Sequence, residues 1–549
     1  MEKRTIIAIV ISLLILVGYQ ELFLKKFMPA PPSTSTDNIT RSKKNITKQS
    51  QAEVVKEKQN VPVAKPEIEK SKEAIKNPNE KFITVENNLL RLTFSNKGGA
   101  ISKCILKKYY QTVAKKKNVV LFDRIKDYPI ENQFIINNRF KIKKDIVFHT
   151  SVTDYNIDVY NKPVTITYNY KNDKISVDKI YTIFPDKYEI KLTYIIRNLT
   201  ETPLKLQNST FYFRKKKLKK ARYQFEGSCF LVDGVLKEVA VKKIEKEKLV
   251  EFSKKVQWLG YSEVYFLAAI MKKDTVFDAA KTYIYNNNVV IEGVKKFDLK
   301  INDEVTDTDF LYFGPKKYSI LKSYHAGLER SINYGIFDFL AKPLMILLNF
   351  FYKYIHNYGV AIILLTILIK LLFYPLTQKS YESMKKMKDL QPHIQRLKEQ
   401  YKDNKAQLNQ EIMQLYKKYK VNPFGGCLPI VIQIPVFFAL YRALLASIEL
   451  RHAPFISYIP FTDKVWLIDL SVKDPYYITP VLMGLSMFVQ QKMTPTGGDA
   501  LQEKLMYFMP IFLTFLFLNF PSGLVVYWLA NNILSIVQQY MVNKKMTKK

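Results

Sequence analysis

Tyr358-Gly359-Val360-Ala361-Ile362-Ile363-Leu364-Leu365-Thr366-Ile367-Leu368-Ile369-Lys370-Leu371-Leu372-Phe373-Tyr374 is apolar almost throughout and carries a single cation. Read as a helix it measures about 26 Å, close to the ~30 Å thickness of a bilayer's hydrocarbon core. Four further apolar segments follow at Leu428–Ile448, Tyr476–Met493, Leu505–Phe520 and Gly523–Val542. Their lengths suit membrane spans, some of them short. The pattern predicts a five-helix membrane bundle over residues 357–542. A lysine near the centre of a span costs about 2.5–3.5 kcal/mol on insertion scales. Lys370 lies about one turn before Pro375, so it can snorkel toward the cytoplasmic interface. The other reading is that it faces a polar cavity inside the bundle.

Other polar residues bear on that choice. Thr366 lies one turn before Lys370 on the same face. Gln433 sits inside the next span. Tyr527, Trp528, Asn531 and Asn532 cluster in the last, with Tyr527 and Asn531 four apart. Each alone fits ordinary glue between helices. Together, with no acidic partner for Lys370 in any span, they suggest a wet, positively charged groove. The missing Asp or Glu relay argues against a proton-coupled transporter.

The loops set an orientation. Thr377 to Val421 holds eleven Lys or Arg against five Asp or Glu. The loop Glu449 to Asp474 holds Arg451, Lys464 and Lys473, offset by four acids. The tail 543–549 is basic again. The positive-inside rule places the 377–421 loop and the tail in the cytoplasm. Within that loop Met384, Met387, Leu390, Ile394, Leu397 and Tyr401 form one helical stripe, and Leu408, Ile412, Leu415 and Tyr419 a second. Lys402-Asp403-Asn404 reads as the turn between them. A cytoplasmic helical hairpin is expected, either a solvated linker or a docking arm. Met384 and Met387 are its candidate contact residues, because Met surfaces adapt to varied partners.

Upstream, Ile332 to Ile355 is apolar but contains Asp338, Lys342, Pro343 and Lys353. As a full span it would reverse the basic loop, so residues 330–356 read as an amphipathic helix at the outer interface. Residues 81–315 alternate with period two, as in Phe82-Ile83-Thr84-Val85, Leu90-Arg91-Leu92-Thr93-Phe94, Val164-Thr165-Ile166-Thr167-Tyr168 and Tyr188 to Tyr194. Such alternation marks half-buried strands, and many strands with few helices predict an all-β sandwich outside the membrane. Residues 29–80, rich in Pro, Ser, Thr, Asn, Lys and Glu, read as a flexible linker. Met1-Glu2-Lys3-Arg4 and the apolar run after it make residues 1–28 an expected uncleaved transmembrane signal anchor.

Composition limits what else the chain does. The 549 residues carry a formal charge of +36, with 48% hydrophobic and 24% charged residues. The basic residues are dispersed and dominated by Lys, without an Arg-rich block. The apolar runs therefore favour a membrane over nucleic acid as the primary partner. Cys104, Cys229 and Cys427 make no metal cluster or disulfide framework; Cys104 and Cys229 both fall in the β region, where they could pair if it is extracytoplasmic, and read as two free thiols. The five histidines lie far apart, without metal-ligand spacing.

Several stretches carry a strong resemblance to the YidC membrane-protein insertase family: Tyr374-Pro375-Leu376-Thr377, Leu390-Gln391-Pro392, Val421-Asn422-Pro423-Phe424-Gly425-Gly426-Cys427-Leu428-Pro429, Gln433-Ile434-Pro435, Asp474-Pro475-Tyr476-Tyr477-Ile478, Gln491-Lys492-Met493 and Phe520-Pro521-Ser522-Gly523-Leu524. The match runs through about residues 330–542. Asn96-Lys97-Gly98-Gly99-Ala100 and the strand pattern resemble, more loosely, the family's periplasmic domain of β-supersandwich fold. The resemblance implies a multi-pass inner-membrane protein with cytoplasmic termini and no cofactor. It implies an insertase and chaperone acting alone or beside the Sec translocon, on nascent membrane proteins delivered by ribosomes. It further implies that the groove attracts acidic outer segments of substrates while their apolar helices pass into lipid. Where the family usually carries arginine, this chain has Lys370, which keeps the charge and loses the planar five-donor fork. Trp528 stands where a second Tyr is common. Two other function classes compete: a small-solute transporter or channel built around the intramembrane lysine, and a membrane-anchored carbohydrate enzyme. The first needs an inverted repeat, which the five spans do not show. The second needs converging acid–base residues, and no such constellation is visible in the β region.

Overall fold

The computed structural model describes residues 80–123, 131–142, 146–216, 225–402, 404–419, 421, 428–493 and 500–547. The expected anchor 1–28, all of the linker but Glu80, and Asn422–Cys427 lie outside them.

Period-two alternation becomes strands where it was expected. Ile83, Val85, Leu90, Leu92 and Phe94 enter the core, and Phe82 and Arg91 face outward. Asn87 turns the chain between them: its Oδ1 accepts from the amides of Leu89 at 2.8 Å and Leu90 at 2.6 Å. The result is an antiparallel hairpin within a five-stranded sheet, in the order 118–123, 100–110, 90–95, 82–87, 156–159. An eight-stranded sheet follows the order 235–240, 227–232, 256–262, 266–271, 304–315, 189–198, 175–183, 164–171. A six-stranded sheet follows the order 249–252, 279–285, 288–299, 204–215, 131–136, 140–141.

The six- and eight-stranded sheets face each other. Phe134 meets Tyr194 ring to ring, Ser228 bonds Thr282, and a Cβ on Gly293 would sit 2.5 Å from the Leu259 side chain. The five-stranded sheet also packs on the eight-stranded one, through Phe94 on Tyr181 and Phe122 on Phe313. Strands Gly227–Val232 and Phe266–Met271 are buried at every position, so neither shows alternation, and Phe266–Met271 reads as a continuous apolar run. Between the sheets lies a set of buried charges that the sequence did not announce. Lys272 Nζ is 2.6 Å from Asp307 Oδ1 and 2.7 Å from Asp309 Oδ1. Asp309 also accepts from Thr210 and Tyr194, and Thr210 accepts from Asn132. Asn132 in turn accepts from Lys179, which also donates to the Gly98 carbonyl at 2.6 Å. Cys104 and Cys229 are buried free thiols in different sheets, and burial pushes both up.

Two short helices, α1 (Val241–Glu247) and α2 (Tyr318–Lys322), accompany the strands. The helical part then comprises α3 (Asp338–Ile355), α4 (Tyr358–Asp389), α5 (Gln391–Gln400), α6 (Lys405–Lys418), α7 (Leu428–Ala446), α8 (Ile478–Met493), α9 (Ala500–Phe517) and α10 (Ser522–Thr547). Its outer surface is apolar: Leu371 is 64%, Leu372 72% and Phe515 68% exposed, while polar side chains turn inward. That inverts the arrangement of a protein surrounded by water. Among the described residues Gly335–Ile355 and Tyr358–Asp389 are long and apolar enough to cross a bilayer. Gln433–Ala446 and Tyr507–Phe517 are shorter apolar helical stretches. Gly484 lets α8 and α9 approach closely, since a Cβ there would lie 2.1 Å from Thr514 Oγ1.

Two expectations about the hairpin need correction. Its first arm is not one independent helix. α4 runs unbroken for 32 residues, past Pro375 to Asp389. The chain breaks at Leu390, and Pro392 falls in the first turn of α5, where its missing N–H costs nothing. The apolar stripe is also divided. Met387, Leu390 and Ile394 pack with Ile412, Leu415, Tyr416 and Val421, whereas Met384 packs with Tyr381 and Val542 of α10. Tyr416, not Tyr419, is the buried tyrosine of the second arm; Tyr419 is exposed.

The β domain is tied to the helical part through the loop after α7. Arg451 Nη2 donates to the Tyr110 carbonyl at 2.7 Å, and its guanidinium lies 5.6 Å from the ring centres of Tyr265 and Phe266. Asp474 closes the same loop onto α8. Its carboxylate accepts from Trp466 Nε1, the Tyr476 amide, and the amide and hydroxyl of Thr479. The Asp474-Pro475-Tyr476-Tyr477 motif is thus a buried cap on a helix N-terminus.

Candidate functional site

The inner face of α10 decides the site. Asn531, Asn532, Ser535, Gln538 and Gln539 are all buried, in a helix otherwise dominated by apolar residues. Asn531, Ser535 and Gln538 fall at i, i+4 and i+7, one line along a helix. α4, α7 and α8 each present polar partners to this face.

Lys370 of α4 turns inward. Its Nζ donates to Ser535 Oγ at 2.6 Å, and Ser535 Oγ donates to the Asn531 carbonyl at 2.8 Å. Gln433 of α7 donates to Asn531 Oδ1 at 2.5 Å. Three helices therefore meet in one line: Lys370, Ser535, Asn531, Gln433. No carboxylate lies within ion-pair distance of Lys370 among the described residues. A step toward the hairpin, Gln538 Nε2 donates to Thr377 Oγ1 at 2.8 Å. On the neighbouring flank Asn532 donates to Ser486 of α8 at 3.1 Å, and Gln539 donates to the Met493 carbonyl at 2.9 Å. Each interhelical bond of this kind contributes about 0.6 kcal/mol on average in membranes. The line as a whole fixes how α4, α7, α8 and α10 meet.

The residues expected from sequence divide accordingly. Lys370, Gln433 and Asn531 come together, and Asn532 joins from the α8 side. Thr366 is fully buried and donates to the Ile362 carbonyl of its own helix. Tyr527 is 2% exposed. Trp528 packs on Phe437, with ring centres 4.8 Å apart, and on Phe517, and its buried Nε1 has no hydrogen-bond partner among the described residues. It belongs to an aromatic cluster of α7, α9 and α10 rather than to the Lys370 line. Met384 and Met387 are 4% and 9% exposed, inside the packing rather than on the hairpin surface. Ser535, Gln538, Gln539 and Ser486 were missed. The signal of Ser535 and Gln538 was present as the i, i+4, i+7 polar line that starts at Asn531 in the last span. Among the described residues no cluster of three or more His, Cys, Asp or Glu could hold a metal.

Comparison with known proteins fixes the family. Residues 82–347 match the family described as YidC periplasmic domain, and residues 350–549 that described as 60Kd inner membrane protein. The chain is 40% identical over 559 residues to the membrane protein insertase YidC of Syntrophus aciditrophicus, covering 99% of this chain and 100% of that one. The chain belongs to the YidC membrane protein insertase family. Its counterpart in Geobacter metallireducens is 37% identical, over 99% of this chain and 98% of that one. A solved structure, "Active YidC insertase crystal structure with the first transmembrane domain resolved", is 18% identical over 84% of this chain and 92% of that chain, with a TM-score of 0.38. As a member of this inner-membrane family the chain combines a helical membrane core with a periplasmic domain, here the three-sheet β structure.

Proposed function

We propose that this protein inserts other membrane proteins into the inner membrane, and that the Lys370–Ser535–Asn531–Gln433 line is one wall of a positively charged hydrophilic groove. The observation that carries the reading is a lysine held inside an apolar-coated bundle by a serine hydroxyl, with no carboxylate among the described residues to neutralise it. Such a charge attracts an acidic segment of a substrate and lowers the barrier to its entry into hydrocarbon. The substrate's apolar helix then partitions into lipid, and hydrophobic transfer drives the rest. Thr366, Tyr527 and Trp528 lie on the side of the line away from the hairpin. With Phe437 and Phe517 they serve as an apolar closure toward the periplasm, while Asn532 of α10 braces the groove against Ser486 of α8.

In this reading five spans and the N-terminal anchor place both termini and the hairpin in the cytoplasm, the β domain in the periplasm and α3 at the outer interface. The hairpin makes first contact with nascent chains and, transiently, with the ribosome. The protein works alone or beside the Sec translocon and also helps its substrates fold. Because Met384 packs on Val542 of α10 and Met387 packs between the two hairpin arms, Met384 meets a substrate only if the hairpin leaves α10 and Met387 only if the arms part.

The test is a site-specific cross-linker placed at Gln433 and at Ser535 during translation of a stalled single-span substrate. Adducts to the substrate are expected at both positions. A transporter instead predicts solute flux in liposomes and no adduct to nascent chains.

A further inference from the structure

A second site lies far from the Lys370 line, where the end of the β domain, α3 and the start of α4 meet. It is a cavity of about 520 Å³ bordered by Lys317, Lys342, Asn349, Lys353, Tyr358 and Glu449, with Met345 and Ile346 among its apolar lining. On α3 the lining positions 342, 345, 346, 349, 352 and 353 fall in groups three or four residues apart, so one helix face looks into the cavity.

We infer that this cavity binds the headgroup of an anionic glycerophospholipid from the outer leaflet. Three observations converge. First, α3 has three distinct faces. Ala341, Leu344 and Leu348 are buried against the protein, the cavity face comes next, and an exposed apolar strip of Phe339, Ile346, Phe350 and Tyr354 follows. Ile346 belongs to both the strip and the cavity, so a lysine-bordered pocket opens directly onto a surface suited to acyl chains. Second, the charges favour an anion. Lys342 is paired with Asp338 at 2.7 Å, but among the described residues Lys317 and Lys353 have no carboxylate within ion-pair distance. The lone lining carboxylate, Glu449, already accepts from Ser447 at 2.7 Å. Third, the floor is set in place. Tyr352 stacks on Tyr358 with ring centres 3.8 Å apart, and the Tyr358 hydroxyl bonds Asn349 Oδ1 at 3.1 Å. Lys317 and Lys353 then hold the phosphate diester, while the acyl chains run along Phe339, Ile346 and Phe350.

The test uses the full chain in detergent, with native mass spectrometry of bound lipid. Phosphatidylglycerol is expected to bind about tenfold better than phosphatidylcholine, because both carry the phosphate but the cationic choline of phosphatidylcholine is repelled by the lysines. Lys317→Gln with Lys353→Gln is expected to erase that preference. Ile346→Asn is expected to weaken both lipids. All three are solvent-exposed positions, and thermal unfolding of each variant checks that the fold is kept. In cells, a photo-cross-linker at Asn349 is expected to capture lipid. Equal binding of the two lipids, a preference that survives in the double variant, displacement of the lipid by inorganic phosphate, or a protein adduct at Asn349 would each overturn the assignment.

Discussion

Lys370 and Ser535 meet across 2.6 Å, although 165 residues separate them in the chain. The bond joins the first helix of the membrane core to its last and sets where the positive charge stands. Removing the hydroxyl therefore changes position rather than charge. Ser535→Ala is expected to lower insertion of substrates with acidic outer segments severalfold while leaving neutral ones less affected. Lys370→Gln is expected to show the same bias more strongly, and Lys370→Arg to retain activity. Protease protection of a matched pair of acidic and neutral substrates measures this. Equal loss for both would remove the electrostatic role.

The buried charges of the β domain are expected to be costly to break. Lys272→Met leaves Asp307 and Asp309 side by side without a counter-ion. Breaking a buried pair in this way costs about 3–5 kcal/mol. Hydrogen exchange of the Phe266–Met271 amides should report a drop of that order. Adding Asp307→Asn and Asp309→Asn should recover part of it.

Lys179 gives the domain a pH dependence. It is 1% exposed, and burial lowers its ammonium from the ordinary lysine range to about 7. In the unfolded chain it stays protonated to about 10.5. Between these values the unfolded state binds more protons, so the stability contributed by this residue rises with pH. Below about 7 both states are protonated and the full cost of burying the ammonium is felt. Relative to Lys179→Met, the wild type should gain at most about 1.4 kcal/mol per pH unit above 7. Unfolding midpoints of the two proteins across that range check it, and parallel curves would refute it.

Arg451 is expected to hold the β domain to the helical part. Arg451→Ala removes a charged hydrogen bond to Tyr110 and the stacking on Tyr265 and Phe266. The combined loss should be about 2–3 kcal/mol. Faster hydrogen exchange confined to the 107–118 segment and the 449–474 loop is the expected signature. Unchanged exchange there would place the attachment elsewhere.

The physical scale of each signal explains what the sequence disclosed. Alternation such as Leu90-Arg91-Leu92 reports a one-sided environment directly, so the β domain was legible. Strands 227–232 and 266–271, buried on both sides, carry no alternation to read. Lys370 was conspicuous because charge in a span is rare. Ser535 and Gln538 were not, because uncharged polar residues in spans are common and only their spacing marks them. The hairpin break at Leu390 was hidden because apolar periodicity continues through it, although the following Gln391-Pro392 is a boundary signal. The cavity beside α3 draws on four separated stretches of chain and has no linear signature.

The unbroken α4 has one more consequence. Its 32 residues span about 48 Å, well beyond the ~30 Å hydrocarbon core. The helix that carries Lys370 is therefore also the stalk of the hairpin. A load taken at Leu390 reaches the charge through a single lever, whose one weak joint is Pro375. Gln538 and Thr377 splint that joint, bonding to each other and to the Tyr374 carbonyl beside it. Stiffness there sets how much of any tug on the hairpin arrives at Lys370.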